Sequence, residues 1–250
     1  LSWLLRRPHL YDMHSSLPQQ LTNFAFSQST ILARLFSAME RFVVRRSAVV
    51  VVICPQLEEV VRAIAPTVPA VLIENAPGSG DVPVPGSGGR IREELGVGPG
   101  TPIVLYTGTF EAYQGLDLLF AAAPRVLEKQ PDVRFVLAGG RPEQIQAARA
   151  QAEREGVAGG VVFAGQRPAD EIPLFLDAAD VLVSPRSTGT NPPLKIYQYL
   201  RSGRPIVATR LLTHTQVLDD DVAILTEATP EAFAEGIVSA IARPDHARRV

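Results

Sequence analysis

Ser184-Pro-Arg-Ser-Thr-Gly-Thr-Asn-Pro-Pro-Leu-Lys-Ile-Tyr-Gln-Tyr-Leu-Arg-Ser-Gly-Arg-Pro-Ile-Val-Ala-Thr209 reads as a strand end, a loop, a helix and a second strand. The apolar Val181-Leu-Val runs into a loop of Gly, Thr, Asn and Pro. A helix opens at Leu194, stops at Ser202-Gly203, and gives way to Pro205-Ile-Val-Ala. Such a unit aims free backbone N–H groups and the positive end of a helix dipole at whatever occupies the loop. Lys195, in the first helical turn, adds a mobile positive charge. The expectation is an anion site, and phosphate is the anion that suits it best.

Around this stretch the pattern alternates with regularity. Strands fit Ile103–Thr107, Val133–Ala138, Val161–Ala164, Val181–Ser184, Ile206–Ala208 and Val222–Leu225. Helices fit Leu116–Lys129, Glu143–Glu155, Ile172–Ala178, Leu194–Arg201, His214–Leu218 and Glu231–Ala242. Strands alternating with helices of this length imply parallel βαβ crossovers, hence an α/β, doubly wound, Rossmann-like sheet covered on both faces. Such sheets bind ligands at the carboxyl ends of their strands, where Gly108, Gly139-Gly140 and Gly165 lie.

Upstream, a helical stretch from about Phe26 to Arg46 precedes a valine-rich run, Ala48 to Cys54. A helix at Leu57–Ile64 and a short strand at Ala70-Val-Leu-Ile follow. The Gly- and Pro-rich segment from Ala76 to Gly89 reads as a linker. The expected organisation is therefore residues 1–75 as part of one Rossmann-like domain, 76–90 as linker, and 91–250 as a second, near-complete one.

Composition narrows the function classes. With 46% apolar residues, 20% charged residues and a net charge of −2, the chain has no basic excess for nucleic acid. The valine-rich run is too short to span a bilayer, which takes about 20 apolar residues. Leu1-Ser-Trp-Leu-Leu-Arg-Arg7 is compatible with peripheral membrane contact. A single cysteine, Cys54, placed within the valine-rich strand, excludes an internal disulfide and fits a reducing, cytoplasmic setting, with the inner membrane face as an extension of it. His9, His214 and His246 lack partners at metal-ligand spacing, so no metal is assigned. Asp219-Asp-Asp221 reads as a solvated turn. A Gly-x-Ser-x-Gly elbow, a P-loop and a dinucleotide fingerprint are all absent.

Several segments together carry a family resemblance. Tyr106-Thr-Gly-Thr-Phe-Glu-Ala-Tyr-Gln-Gly-Leu-Asp-Leu-Leu119, Phe135-Val-Leu-Ala-Gly-Gly140, Val162-Phe-Ala-Gly-Gln166 and Ala179-Asp-Val-Leu-Val-Ser-Pro185 follow in order. With the opening stretch, they resemble the donor half of retaining glycosyltransferases with the GT-B fold, the glycosyl transferases group 1 (family 4-like) proteins. Leu10-Tyr-Asp-Met-His14 resembles the acceptor-domain strand end that carries the family's active-site His. Arg45 to Pro55 and Ile73-Glu-Asn75 resemble that domain's last strands. The first half of the acceptor domain is then missing, so the chain is read as a fragment of a longer protein.

The resemblance implies metal-independent transfer of a sugar from a nucleotide-sugar donor to a glycan or lipid-linked acceptor, with retention of configuration, in glycan or cell-envelope polysaccharide synthesis. The nucleotide-sugar is substrate, and no cofactor is implied. His14 takes the catalytic position. Gly108, Thr109, Gln114, Arg186, Thr190, Asn191, Leu194, Lys195 and Gln198 fall at donor-binding positions. Four of these depart from the family pattern: Thr109 and Gln114 replace basic residues, while Thr190 and Gln198 replace the two motif glutamates. Gly108 is expected to bring a backbone N–H close to phosphate. Arg186 and Lys195 are left to supply positive charge, and Gln198 to hold ribose without charge assistance. The alternatives are a nucleotide-sugar-binding protein without turnover, serving as partner or scaffold, and a hexosamine-nucleotide epimerase, for which the cleft lacks carboxylates.

Overall fold

The computed structural model describes residues 7–18, 30–78 and 83–242. The chain forms two compact units, Leu1–Ala76 with Gly189–Pro192, and Pro77–Thr188 with Pro193–Val250.

In the first unit, β1 (Leu10–Met13), β2 (Val49–Val52) and β3 (Ala70–Leu72) form a parallel sheet in that order. β-branched residues suit a pleated surface, and the alternation of β2 sends Val50 and Val52 into a cluster with Met13, Val44, Leu57 and Val61. The crossovers are α1 (Thr30–Arg46) and α2 (Pro55–Ile64). Glu40 of α1 is buried because it accepts hydrogen bonds from Ser16 Oγ at 3.1 Å and the Leu17 N–H at 2.8 Å. Cys54, expected inside the strand, instead lies just past it as the N-cap of α2, since Pro55 cannot extend a ladder and suits a first helical turn. Leu1–Arg6 and residues 26–29, parts of the expected interfacial terminus and of the expected helix, lie outside the described residues.

The second unit is the expected doubly wound sheet. Its strands are β4 (Ile103–Thr107), β5 (Arg134–Ala138), β6 (Val161–Gly165), β7 (Val181–Ser184), β8 (Ile206–Thr209) and β9 (Ile224–Thr226). All pair in parallel, in the order β6-β5-β4-β7-β8-β9. The helices are α3 (Gly89–Glu94), α4 (Leu116–Lys129), α5 (Pro142–Arg154), α6 (Ile172–Ala178), α7 (Leu194–Ser202), α8 (Leu212–Thr215) and α9 (Pro230–Ala242).

Every residue of β4 is buried, as a parallel sheet covered on both faces requires. Val104 and Tyr106 pack with Phe120, Phe135, Phe233 and Ile237 on one face. Ile103 and Leu105 pack with Phe175, Leu182, Ile196 and Tyr199 on the other. Each such side chain contributes about 1.5–3 kcal/mol on burial, so both layers are held mainly by apolar contact.

Two helices differ from expectation. α3 falls at the carboxyl edge of the segment read as linker. Ile91 anchors it from below, and Arg92 donates to the Thr101 and Ala178 carbonyls and to Asp180 Oδ2 at 2.7–2.8 Å. α8 lies at Leu212–Thr215 rather than His214–Leu218, with His214 inside it and the imidazole turned into buried hydrogen bonds.

Candidate functional site

β4 has β5 and β6 on one side and β7, β8 and β9 on the other, so the winding reverses between β4 and β7. That is the switch point at which parallel sheets open a crevice at their carboxyl ends. Thr107-Gly108 ends β4 there, Ser184-Pro185-Arg186 leaves β7, and α7 begins at Leu194.

The turns are fixed by close backbone approach. Gly115, at φ 73°, leads into α4, and a Cβ there would stand 1.9 Å from the Pro185 carbonyl oxygen. Gly139, at φ 128°, is seated against Gly108 in the same way, with 1.9 Å from its Cβ position to the Gly108 oxygen. Neither turn admits a side chain, so the ends of β4, β5 and β7 lie against one another directly.

Lys195 reaches into this junction from α7 and is only 9% exposed. Its ammonium lies 3.8 Å from the centre of the Tyr106 ring, a cation–π contact, and donates to Gln114 Oε1 at 3.3 Å. A Cβ on Gly108 would stand 3.6 Å from the same ammonium. None of the ion pairs among the described residues includes Lys195. Burial, and then the nearby Arg186 charge, hold its pKa well below the ordinary lysine value.

Arg186 lies over the Tyr113 ring at 5.0 Å and donates from Nη1 to Thr213 Oγ1 at 2.6 Å. Burial lowers its pKa as well. Beneath it, His214 Nδ1–H donates to the Thr209 carbonyl at 2.8 Å, which leaves Nε2 to accept from Ser184 Oγ at 2.8 Å. The Thr209 hydroxyl in turn donates to the Arg186 carbonyl at 2.7 Å. Burial is the main cause that pushes the His214 pKa down to about 4. The imidazole is therefore neutral at physiological pH, a support for the arginine loop and not an acid or base.

Beside this cation pair, Gly108, Thr109, Ala138, Gly139, Gly140, Gln166, Arg167 and Ile172 line a cleft of about 400 Å³ at the ends of β4, β5 and β6. Gly108 lines it, but its own N–H donates to the Ala138 carbonyl at 3.0 Å, so the expected approach of that amide to phosphate is not available. The free space above Gly108 serves Tyr106 and Lys195 instead. The amides of Leu194 and Lys195, at the start of α7, have no backbone acceptor among the described residues.

The second unit thus brings together Gly108, Thr109, Gln114, Arg186, Leu194 and Lys195. Gln198 is half-buried one turn along α7. Thr190 and Asn191 group with the first unit, where Asn191 Nδ2 donates to the His14 carbonyl at 2.9 Å. His14 Nε2 lies 3.1 Å from Asp12 Oδ2, both side chains well exposed. Tyr106, Tyr113, Thr213 and His214 were not singled out in the sequence as parts of a site.

Residues 101–243 match the glycosyl transferases group 1 family. The chain belongs to that family. Among group 1 relatives, the D-inositol 3-phosphate glycosyltransferase of Segniliparus rotundus is 29% identical over 169 residues, covering 66% of this chain and 37% of the relative. The GDP-mannose-dependent alpha-(1-6)-phosphatidylinositol monomannoside mannosyltransferase of Mycolicibacterium smegmatis is 29% identical over 187 residues, covering 67% and 48%. The chain therefore spans less than half the length of these curated relatives.

Solved structures agree on the fold. Sucrose-phosphate synthase from Thermosynechococcus elongatus superposes with a TM-score of 0.79 at 21% identity, over 99% of this chain and 63% of that one. Anabaena HepE in complex with UDP and glucose gives 0.78 at 18%, over 99% and 66%. The fold is GT-B, with Rossmann-like parallel α/β units.

Proposed function

We propose that this chain is the donor-binding half, with part of the acceptor half, of a glycosyltransferase that uses a nucleoside diphosphate sugar. The observation that carries the reading is the Lys195 ammonium, buried beside Arg186 with no carboxylate partner, at the switch point of a doubly wound sheet. A desolvated cation in such a place costs stability unless an anion answers it. A diphosphate does so, with the Leu194 and Lys195 amides at the positive end of α7 to receive its oxygens. The cleft at the ends of β4, β5 and β6 then takes the nucleoside. The relatives' names support a nucleotide-sugar donor and a phosphoinositol- or lipid-linked acceptor in glycan synthesis.

In the proposed reaction an acceptor hydroxyl oxygen bonds to the anomeric carbon as the bond from that carbon to the β-phosphate oxygen breaks. The hydroxyl proton passes to the departing phosphate on the same face, giving retention. Lys195 and Arg186 stabilise the charge that develops on the diphosphate, the contribution that is usually largest in such sites, so the reading needs no metal ion. His14 keeps the catalytic position that the resemblance gives it.

A second reading, binding without turnover, is favoured by Thr190 and Gln198 standing at both glutamate positions. Calorimetric titration of the chain with UDP, GDP and ADP and their sugar conjugates tests the shared step. One nucleotide is expected to bind and to lose at least tenfold in Lys195→Ala. No binding at millimolar concentration would remove both readings. Binding without sugar transfer by the full-length protein would select the second.

A further inference from the structure

Two elements meet at the Lys195 ammonium from the two sides of the switch point. Lys195 comes from α7, and Gln114 comes from the connection between β4 and α4. Both residues are buried, at 9% and 8% exposure. An ammonium only donates, so the amide must turn its oxygen to Nζ, and Oε1 stands there at 3.3 Å. Gln114 ends a single tight 3₁₀ turn, Ala112–Gln114, closed by its own N–H on the Glu111 carbonyl at 2.9 Å. Gly115 follows and is pressed against the Pro185 carbonyl, while the Ser187 N–H donates to the Tyr113 carbonyl at 3.3 Å. The turn is thereby stitched to the strand exit that carries Arg186, whose guanidinium lies over the Tyr113 ring. Adjacent residues of one rigid turn thus touch both cations of the site.

We propose that Gln114 is a positioning residue for the donor diphosphate: its neutral amide sets where the Lys195 ammonium stands and leaves that charge for the ligand. The inference rests on the diphosphate reading of the site and adds a residue that acts through Lys195, not on the ligand. The side-chain type matters at this position. An apolar residue would leave the buried ammonium without its oxygen acceptor, a cost that falls on the folded protein. A carboxylate would hold the ammonium more tightly, through a charge-assisted bond, and would cancel the charge that an anion needs. An amide gives direction without charge. Placed on a turn tied to both strand exits, it holds the ammonium to one location before any ligand arrives, which is how a site is preorganised.

Calorimetric titration of the full chain with UDP, GDP and ADP, paired with melting temperatures of the ligand-free protein, tests this. Gln114→Glu keeps the size of the side chain and adds a charge. It should raise the melting temperature while lowering affinity by about tenfold or more. Loss of a merely structural contact would lower both. Gln114→Leu should lower affinity by about fivefold, the worth of one hydrogen bond. Lys195→Gln alone should lose about tenfold or more, as a hydrogen bond to a charged group implies. Exchanging the pair, Gln114→Lys with Lys195→Gln, should bring affinity back to within about threefold of the wild type, since residues in contact are strongly non-additive. A lysine chain is one atom longer than glutamine, so position 114 delivers its ammonium to the same junction from the other side. An exchange as weak as Lys195→Gln would overturn the proposal, as would wild-type affinity in Gln114→Glu or a fall in both its quantities. Wild-type affinity in Lys195→Gln would overturn the diphosphate reading itself, and this inference with it.

Discussion

Lys195 and Tyr106 are packed so that the ammonium sits 3.8 Å from the ring centre, at the buried end of the central strand. The aromatic face and one amide oxygen are weak compensation for a charge taken out of water, and Arg186 nearby opposes it. The position is therefore costly in the empty protein. Lys195→Met should raise the melting temperature without ligand while lowering nucleotide affinity at least tenfold, about 1.4 kcal/mol. A fall in both quantities would show that the lysine is structural.

The same group predicts a pH dependence. Its folded pKa lies below the unfolded value of about 10.4, so between the two the unfolded chain binds the extra proton and stability rises with pH. An anion at the site restores the charged form, so binding in that window should take up a proton. Titration in buffers of different ionisation enthalpy reads this directly. Lys195→Met should show no uptake.

His214 acts at the other end of the pH scale. Its folded pKa of about 4 lies below the ordinary 6.5, so the unfolded state binds more protons between these values. The stabilisation is whole above about pH 6.5 and is lost as pH falls toward 4, by roughly 3 kcal/mol in total. Urea denaturation across this range should show the slope, and His214→Asn should flatten it. An equal slope in the variant would place the titration elsewhere.

Tyr199 is fully buried on α7, and Thr107, the last residue of β4, donates its backbone N–H to the phenolic oxygen at 3.0 Å. The Thr107 hydroxyl shares the same oxygen at 3.1 Å, and burial pushes the phenol pKa up to about 12. Tyr199→Phe leaves that N–H unanswered, at about 1–3 kcal/mol. Denaturation at neutral pH should show this loss, with little change in the denaturant slope.

Gly139→Ala places a methyl group 1.9 Å from the Gly108 oxygen at a φ that side chains rarely adopt. The expected cost is upwards of about 2 kcal/mol, together with loss of nucleotide binding. A variant that retained both stability and affinity would show that the two strand ends do not need this contact.

How far each element was legible depended on how local its cause is. β4, β7, α4 and α6 match the sequence reading to the residue, because periodicity and flanking glycines are properties of neighbouring positions. α3 was missed because six residues beside a glycine run carry too little pattern, and its anchor, Arg92, is answered by Asp180 far along the chain. In the site, Lys195 and Arg186 were legible from the loop that separates them. The Ser184–His214–Thr209 support was not, because its partners come from different strands and no spacing rule joins them. Gly108 was correctly seen as a strand-end glycine, yet its amide is spent on the neighbouring strand, which only the register of β4 with β5 reveals.

The strand order has a consequence for biosynthesis. β4 is made first of its sheet and is apolar over nearly its whole length, yet its partner on one side, β7, follows only after β5, α5, β6 and α6. At about 5–20 residues per second, the ribosome leaves that edge of Ile103–Thr107 unpaired for several seconds. An unpaired apolar edge is a template for association with other chains. Stalled or truncated products ending before Val181 should therefore aggregate, and a nascent chain should become protease-resistant only once Ser184 has emerged.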